Sequence, residues 1–168
     1  ESGLVNPGTV VYDLPTIYSG GGWPKNDNYR YSYSRTVFNG VVNSVNTIAV
    51  RTLEMNPAQY SFDFAKNKFG LSTLTESFVR ADGKVFSDVG SAPLAMGALT
   101  LGATVRDMTA AYATFPNGGV RREARTYTKV YDSNGNIVLD NVQESERILS
   151  AKTANYMNYC LYYAANTG

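Results

Sequence analysis

The sequence predicts one α+β domain that is mostly helical. Apolar residues recur at helical spacing in five segments, and a strong hairpin signal occupies residues 125–140. Residues 1–33 are rich in Gly, Pro, Asn and Tyr, which is typical of ordered loop. A chain of 168 residues can bury one moderate core, so a single domain is expected.

Charge and composition exclude several classes of function. The 15 basic and 14 acidic residues leave a formal net charge of +1, and neither sign forms a run that could follow a phosphate backbone. We therefore expect no nucleic-acid partner. No apolar stretch approaches the ~20 residues that span a bilayer, so the chain as given is not expected to enter a membrane by itself.

The sequence contains no histidine, and this limits the possible chemistry. Ser-His-acid and Cys-His relays are excluded, and zinc loses its usual ligand, so we predict neither a metal nor a cofactor. Acyl transfer would need another base, most commonly a lysine. The single cysteine, Cys160, permits no internal disulfide and is expected to be a buried, unreactive thiol.

The first third of the chain is predicted to contain a strand and two helices. The strand covers residues 9–12, and the helices cover residues 35–43 and 47–55. A polar interruption at Ser44-Val45-Asn46 separates the helices, and Asn46 is expected to be the N-cap of the second one.

The later elements are predicted from their start and stop signals. The predicted elements are a helix from Asn56-Pro57 to Gly70, an irregular segment at 71–92 with a turn at Asp82-Gly83, a helix from the capping box at Thr104 through Phe115, a hairpin turning at Ser133-Asn134-Gly135-Asn136, and a last helix capped by Ser150.

Ser44 and Asn46 form a Ser-x-Asn pattern, which taken alone is more typical of a helix cap than of a site. The order of the surrounding stretches changes this interpretation. They are residues 7–15 (PGTVVYDLP), 44–50 (SVNTIAV), 68–71 (KFGL), 95–105 (AMGALTLGATV), 110–120 (AAYATFPNGGV) and 129–135 (KVYDSNG). This ordered set resembles the transpeptidase domain of bifunctional, class A penicillin-binding proteins.

The resemblance implies a partial serine β-lactamase/transpeptidase-like fold, with a helical subdomain, a β-hairpin and an incomplete central sheet. It divides the chain into an active-site rim (1–33), a helical subdomain (34–124), the hairpin (125–141) and a C-terminal helix (150–165). The family's active site combines Ser-x-x-Lys, Ser-x-Asn and Lys-(Ser/Thr)-Gly. Only Ser-x-Asn is present, so the chain is interpreted as the stretch between the other two motifs.

Three look-alikes of the missing motifs are interpreted as incidental. Thr126-Tyr127-Thr128-Lys129 lies in a predicted strand, whereas the family's nucleophile opens a helix. Lys152-Thr153-Ala154 lacks the glycine, and Asn166-Thr167-Gly168 lacks the lysine.

By the same resemblance, the parent protein would be a serine D-Ala-D-Ala transpeptidase that cross-links peptidoglycan stem peptides and is trapped by β-lactams. Ser44 matches the proton relay of the Ser-x-Asn motif, and Asn46 matches the residue that holds the substrate's backbone carbonyl. The isolated chain is predicted to be inactive. The parent is expected to be extracytoplasmic and anchored in the cell membrane through a segment outside this chain.

A noncatalytic extracytoplasmic module that binds glycan or protein remains the alternative. Trp23 and residues 29–33 could form an aromatic rim, although local packing explains Trp23 at least as well. Tyr159, Tyr162 and Tyr163 fall at helical spacing and are equally consistent with core packing. Truncation is expected to expose an apolar face, which predicts self-association.

Overall fold

A computed structural model describes residues 2–18 and 21–167 of the chain. The strands are β1 (Val10–Asp13), β2 (Thr16–Tyr18), β3 (Gly21–Trp23), β4 (Tyr33–Thr36), β5 (Phe78–Val79), β6 (Val85–Phe86), β7 (Val120–Arg122), β8 (Lys129–Tyr131), β9 (Ile137–Asp140) and β10 (Ser145–Arg147). The helices are α1 (Val37–Val42), α2 (Asn46–Leu53), α3 (Ala58–Asp63), α4 (Ser91–Met96), α5 (Val105–Ala113) and α6 (Ala151–Thr167), and a π-helical turn (Phe64–Lys68) continues α3. The predicted fold class, α+β and mostly helical, is confirmed. The part of the predicted rim at Ser19 and Gly20 lies outside the described residues.

The sheets are small. Within the described residues the strands form antiparallel pairs only, which are β1 with β4, β2 with β3, β5 with β6, β7 with β10, and β8 with β9. The predicted strand at 9–12 is confirmed as β1. The helix expected from residue 35 begins only at Val37, because residues 33–36 pair with β1 as β4. Thr36 then caps α1, its side chain accepting a hydrogen bond from Asn39 N.

The core next to β1 is formed where α1 and α2 pack together. Val11, Val45 and Ile48 are buried there, with Val37 packed against them. Gly40 of α1 faces Ile48 so closely that a Cβ at position 40 would overlap the Ile48 side chain. The absence of a side chain at Gly40 therefore sets the close approach of the two helices.

The long helix α6 packs on the other side of α1. The Phe38 ring lies 5.3 Å from the Tyr159 ring and 5.5 Å from the Tyr163 ring, measured between centroids. Tyr159 and Tyr162 nevertheless remain exposed, so core packing is wrong as their explanation. Cys160 is buried as expected, and burial raises the pKa of its thiol.

The central segment contains both confirmed and unpredicted features. The helix predicted to start at Asn56-Pro57 has Pro57, not Asn56, at its N-cap. Its end before Gly70 is confirmed, and so is the turn at Asp82-Gly83, which joins β5 to β6. Helix α4 was not predicted, and it ends at Gly97 in the left-handed conformation.

The last segment follows the predicted caps closely. Thr104 Oγ1 accepts a hydrogen bond from Asp107 N at 3.0 Å, and Ser150 Oγ accepts one from Thr153 N at 3.2 Å. Both are N-cap geometries that satisfy a first-turn N–H. The predicted hairpin is present as β8 and β9, whereas the pairing of β7 with β10 was not predicted.

Candidate active site at the junction of α1 and α2

Ser44 and Asn46 lie where the chain reverses between two helices. Helix α1 ends with Asn43 at its C-cap, and Ser44 follows with a φ of 51°, in the left-handed region. Such a φ is strained for a residue with a side chain. Ser44 is exposed, and no described residue forms a hydrogen bond with its hydroxyl. The hydroxyl is therefore available to a group outside the fold.

Asn46 is not the N-cap of α2, so this prediction is wrong. Val45 occupies the N-cap and has no side chain able to cap, while Asn46 is the first helical residue. The side-chain Oδ1 of Asn26 instead accepts the hydrogen bond from Thr47 N, at 3.2 Å. The cap is thus supplied by a residue 21 positions earlier. Asn46 Nδ2 donates to the Lys25 carbonyl oxygen at 2.8 Å.

A groove of about 510 Å³ runs beside this junction. Ser44 and Asn46 lie on its wall, and the other lining residues are mostly apolar. They are Val37, Gly40, Val41, Val45, Ile48, Ala49, Thr52, Leu53, Leu94, Ala95 and Tyr112. A mostly apolar groove with a few polar groups on one wall is the usual composition of a ligand site.

The buried carboxylate of Asp13 connects the junction to the preceding loop. Its side chain is fully buried, at 0% exposure. Oδ1 accepts hydrogen bonds from Thr47 Oγ1 (2.6 Å) and Asn26 Nδ2 (2.8 Å), and Oδ2 accepts from Ser32 N (2.8 Å) and Arg35 Nε (2.7 Å). Burial by itself raises the pKa of Asp13, but these four hydrogen bonds outweigh it and lower the pKa to about 2. The carboxylate is therefore ionised throughout the neutral range.

The loop held by Asp13, residues 25–36, is called the rim loop below. Tyr29 and Tyr33 both have positive φ, at 54° and 63°. Asn26 Nδ2 also donates to the Arg30 carbonyl oxygen at 2.9 Å, and Arg35 Nη1 donates to Asn39 Oδ1 at 2.9 Å. These bonds hold the strained loop against β1 and the start of α1.

Sequence reasoning missed Asp13, Asn26 and Thr47, because no spacing rule links the three positions. One signal did exist. In β1 the inward positions alternate, with Val11 and Asp13 both buried. A charged residue at an inward strand position requires partners, and its presence points to a buried polar cluster.

Two look-alikes of the missing motifs lie outside the groove, and the third, Asn166-Thr167-Gly168, ends on a residue outside those that the structure describes. Lys129 is on strand β8, where its ammonium group lies 3.5 Å from an Asp140 carboxylate oxygen. Lys152 is in α6, with its ammonium group 5.8 Å from the centre of the Tyr156 ring. Neither lysine lines the groove. Of the described residues, no group of His, Cys, Asp or Glu is arranged to hold a metal ion.

Comparison with known proteins identifies the family. The family model described as the penicillin binding protein transpeptidase domain matches residues 1–168, the whole chain. The chain belongs to this family.

Among relatives of this transpeptidase domain, penicillin-binding protein 1A of Clostridium novyi (strain NT) is 31% identical over 137 residues, covering 80% of this chain and 14% of that protein. Penicillin-binding protein 1A of Clostridium acetobutylicum is 27% identical over 164 residues, covering 94% of this chain and 18% of that protein. The chain thus spans less than a fifth of either relative. The resemblance to class A penicillin-binding proteins is confirmed.

Solved structures of the family share the fold. Penicillin-binding protein 1A from Haemophilus influenzae matches with a TM-score of 0.71 and 20% identity, covering 95% of this chain and 27% of that chain. An imipenem acyl-enzyme complex of penicillin-binding protein A from M. tuberculosis matches with a TM-score of 0.73 and 16% identity, covering 98% of this chain and 40% of that chain. At these identities the likeness shows the fold of the transpeptidase domain alone.

No helix in the part of the transpeptidase domain that the structure describes is long and apolar enough to cross a membrane.

Proposed function

We propose that this chain forms the Ser-x-Asn wall of the active site of a serine D-Ala-D-Ala transpeptidase. The observation that carries the proposal is the position of Ser44 and Asn46, adjacent on the wall of an open groove in a chain that matches the family over its whole length. The nucleophilic serine and its lysine would come from the Ser-x-x-Lys motif, which this sequence does not contain.

In the proposed reaction the nucleophilic serine attacks the carbonyl carbon between the two D-Ala residues of a stem peptide. Its proton passes to the leaving amine, the C–N bond breaks and terminal D-Ala departs. An amine of a neighbouring strand then attacks the ester carbonyl carbon, the bond to the serine oxygen breaks, and the proton lost by the amine returns to that oxygen. A β-lactam would acylate the same serine by ring opening.

Ser44 fits the proton relay of this reaction. A hydroxyl can accept one proton while donating another, so it can connect the base with the leaving nitrogen. The Ser44 hydroxyl is exposed and has no hydrogen-bond partner among the described residues, which leaves both capacities unused.

Asn46 fits the positioning of the substrate. Its amide group has two N–H donors and one carbonyl acceptor. The hydrogen bond to the Lys25 carbonyl uses one N–H and orients the group. The second N–H can donate to a backbone carbonyl of the substrate, for which a carboxylate would have no donor.

Two variants and a matched control test the proposal in the complete protein that carries this chain. Ser44→Ala and Asn46→Asp are each expected to reduce the acylation rate by a fluorescent penicillin about 100-fold, the scale of a lost proton transfer or a misplaced substrate. Ser44→Ala should leave noncovalent binding nearly unchanged. Asn43→Asp, on the same turn but absent from the groove lining, is the control and should acylate within about twofold of the parent. Normal acylation by both test variants would contradict the proposal.

The isolated chain should not be labelled, because it lacks the attacking hydroxyl. Stoichiometric labelling of residues 1–168 alone by the same penicillin would contradict this.

We also place the parent on the outer side of the cell membrane, anchored by a segment outside these residues. The apolar groove supports self-association of the isolated chain, which sedimentation would detect as a species larger than a monomer.

The second candidate is a noncatalytic module that binds glycan or protein. The exposed aromatic rings of the rim favour it, since Tyr12 and Tyr33 pack edge to face with centroids 5.7 Å apart and Tyr29 is also exposed. The two candidates differ in one measurement. A complete protein that binds peptidoglycan fragments but is never acylated would favour the module.

A further inference from the structure

We propose that Asp13 is a positioning residue for the transpeptidase site: it joins the rim loop to the first turn of α2 and so fixes Asn46 on the groove wall. This inference rests on the proposed function. Asp13 itself lies behind the wall, fully buried, and does not line the groove.

The geometry places Asn46 between two contacts that Asp13 controls. On one side, Asp13 Oδ1 accepts from Thr47 Oγ1, and the peptide unit linking Asn46 to Thr47 donates its N–H to Asn26. On the other side, the Asn46 side chain donates to the carbonyl of Lys25, the residue directly before Asn26. Movement of the rim loop therefore moves the Asn46 amide.

Asp13 and the Arg30 carbonyl oxygen together set the direction in which the Asn26 amide faces. Because the Asn26 Nδ2 donates to Asp13 Oδ1, its Oδ1 must face Thr47 N, where it accepts a hydrogen bond. Without an acceptor at position 13, one hydrogen bond instead of two would hold this orientation of the Asn26 amide. The external cap on the first turn of α2 would then be weakened.

Only a carboxylate satisfies all four partners of Asp13. The two groups facing Oδ1 are donors, and so are the two groups facing Oδ2. An amide at this position would direct an N–H toward one of these donor pairs in either orientation. The Thr47 hydroxyl can also accept, but each pair contains an N–H group that cannot. Asp13→Asn therefore breaks either the contact with Asn26 or the contacts with Ser32 N and Arg35 Nε.

Asp88 provides a matched comparison within the same chain. It is also fully buried, and its carboxylate accepts from Thr75 N at 2.9 Å and from Thr100 N at 2.7 Å. Neither bond involves the rim loop or α2. Loss of the Asp88 carboxylate should therefore lower the stability of the fold without moving Asn46.

The experiment uses the complete protein and a fluorescent penicillin over a range of concentrations, so that the noncovalent dissociation constant and the first-order acylation rate are obtained separately. Thermal melting of each variant is measured in parallel. The variants are Asp13→Asn, Thr47→Val, Thr47→Ser and Asp88→Asn.

Asp13→Asn and Thr47→Val are expected to lower the acylation rate at least about tenfold, with less than about a threefold change in the dissociation constant. Thr47→Ser keeps the hydroxyl and should restore most of the rate. Asp88→Asn should lower the melting temperature but leave the acylation rate within about twofold of the parent.

If Asp13→Asn fails to fold, the comparison of Thr47→Val with Thr47→Ser decides the question. Equal acylation rates for those two variants, or a loss in Asp88→Asn as large as in Thr47→Val, would overturn the positioning role. A parent protein that is never acylated would overturn the proposed function, and this inference with it. A labelled parent with equally labelled variants would overturn the inference alone.

Discussion

The rim loop and the β8–β9 hairpin differ in two respects. The rim loop has little regular structure but is firmly attached to the fold, whereas the hairpin is regular but makes few contacts with the rest of the chain. The rim loop is irregular up to the start of β4 and contains two residues with positive φ, Tyr29 and Tyr33, yet it is tied to a buried carboxylate. The hairpin has regular strands, but each of its residues from 129 to 140 is exposed. Its described hydrogen bonds join only residues 125–141.

The comparison shows that the firm attachment of a segment to the fold depends on its long-range contacts and not on the regularity of its backbone. Asp13 contacts residues 13, 19, 22 and 34 positions away. The hairpin turn instead depends on Asp132, whose carboxylate accepts from the backbone N–H of Asn134 and Asn136, each at 2.8 Å. A site that must be placed within a fraction of an ångström is better supported by the first arrangement.

Asp13→Ala is the largest expected disruption of this contrast. It leaves the Arg35 guanidinium and several buried donors without their acceptor, and removing one partner of a buried ion pair costs about 3–5 kcal/mol. Hydrogen exchange followed by mass spectrometry should show faster exchange across residues 25–36 and 44–50. The hairpin peptide serves as the internal control and should exchange as in the parent. Equal acceleration in both peptides would mean that Asp13 acts on the whole fold.

Gly40→Ala is expected to have the next largest effect. The added methyl overlaps the Ile48 side chain, and overpacking of this kind costs about 1–3 kcal/mol. Urea unfolding should show the lower free energy of unfolding. Gly135→Ala is unsuitable as a control, because the φ of 85° at Gly135 would add strain of its own. Gly90→Ala is better matched, since its new Cβ would meet only the Pro93 side chain at an ordinary 3.7 Å. If Gly40→Ala were as stable as Gly90→Ala, α1 and α2 would be able to move apart and accommodate the added methyl group without a measurable loss of stability.

Acid should weaken the Asp13 contacts in a defined pH range. The folded-state pKa of about 2 lies below the ordinary value of 3.8, so folding favours the ionised form. The resulting stability, about 2 kcal/mol, is fully present above pH 4 and is lost as the pH falls through 2. The difference in melting temperature between the parent and Asp13→Asn should therefore shrink progressively as the pH falls from about 5 toward 2. A constant difference would mean that the Asp13 pKa is not lowered.

The smallest effect is expected in the hairpin. Val138 is 58% exposed on β9, so Val138→Thr should change the free energy of unfolding by no more than about 0.5 kcal/mol. Urea unfolding of the complete protein checks this. A loss above 1 kcal/mol would indicate that another part of the protein covers the hairpin, which would remove the contrast with the rim loop.

Features set by neighbouring residues could be predicted from the sequence. The caps at Thr104 and Ser150, the stop at Gly70 and the turn at Asp82-Gly83 all depend on contacts within a few positions. The predicted start of α1 is too early, because residues 33–36 pair with strand β1, whose residues lie at least 20 positions before them. Local propensity does not contain that information.

The candidate site divides in the same way. Ser44 and Asn46 could be selected because the order of short motifs around them is specific, and the structure places both beside a groove. The assignment of Asn46 as a cap failed because the capping group comes from Asn26, in a distant loop. Asp13 was missed for the same reason, since its partners are gathered only by folding.

Because Asn26 of the rim loop caps α2, the rim loop and α2 must be treated as a single unit in protein engineering. Exchanging residues 24–32 with the corresponding loop of another protein would also exchange the group that begins α2. Chimeras that keep an asparagine at position 26 and an aspartate at position 13 would keep the cap of α2, whereas a graft without that asparagine would remove it.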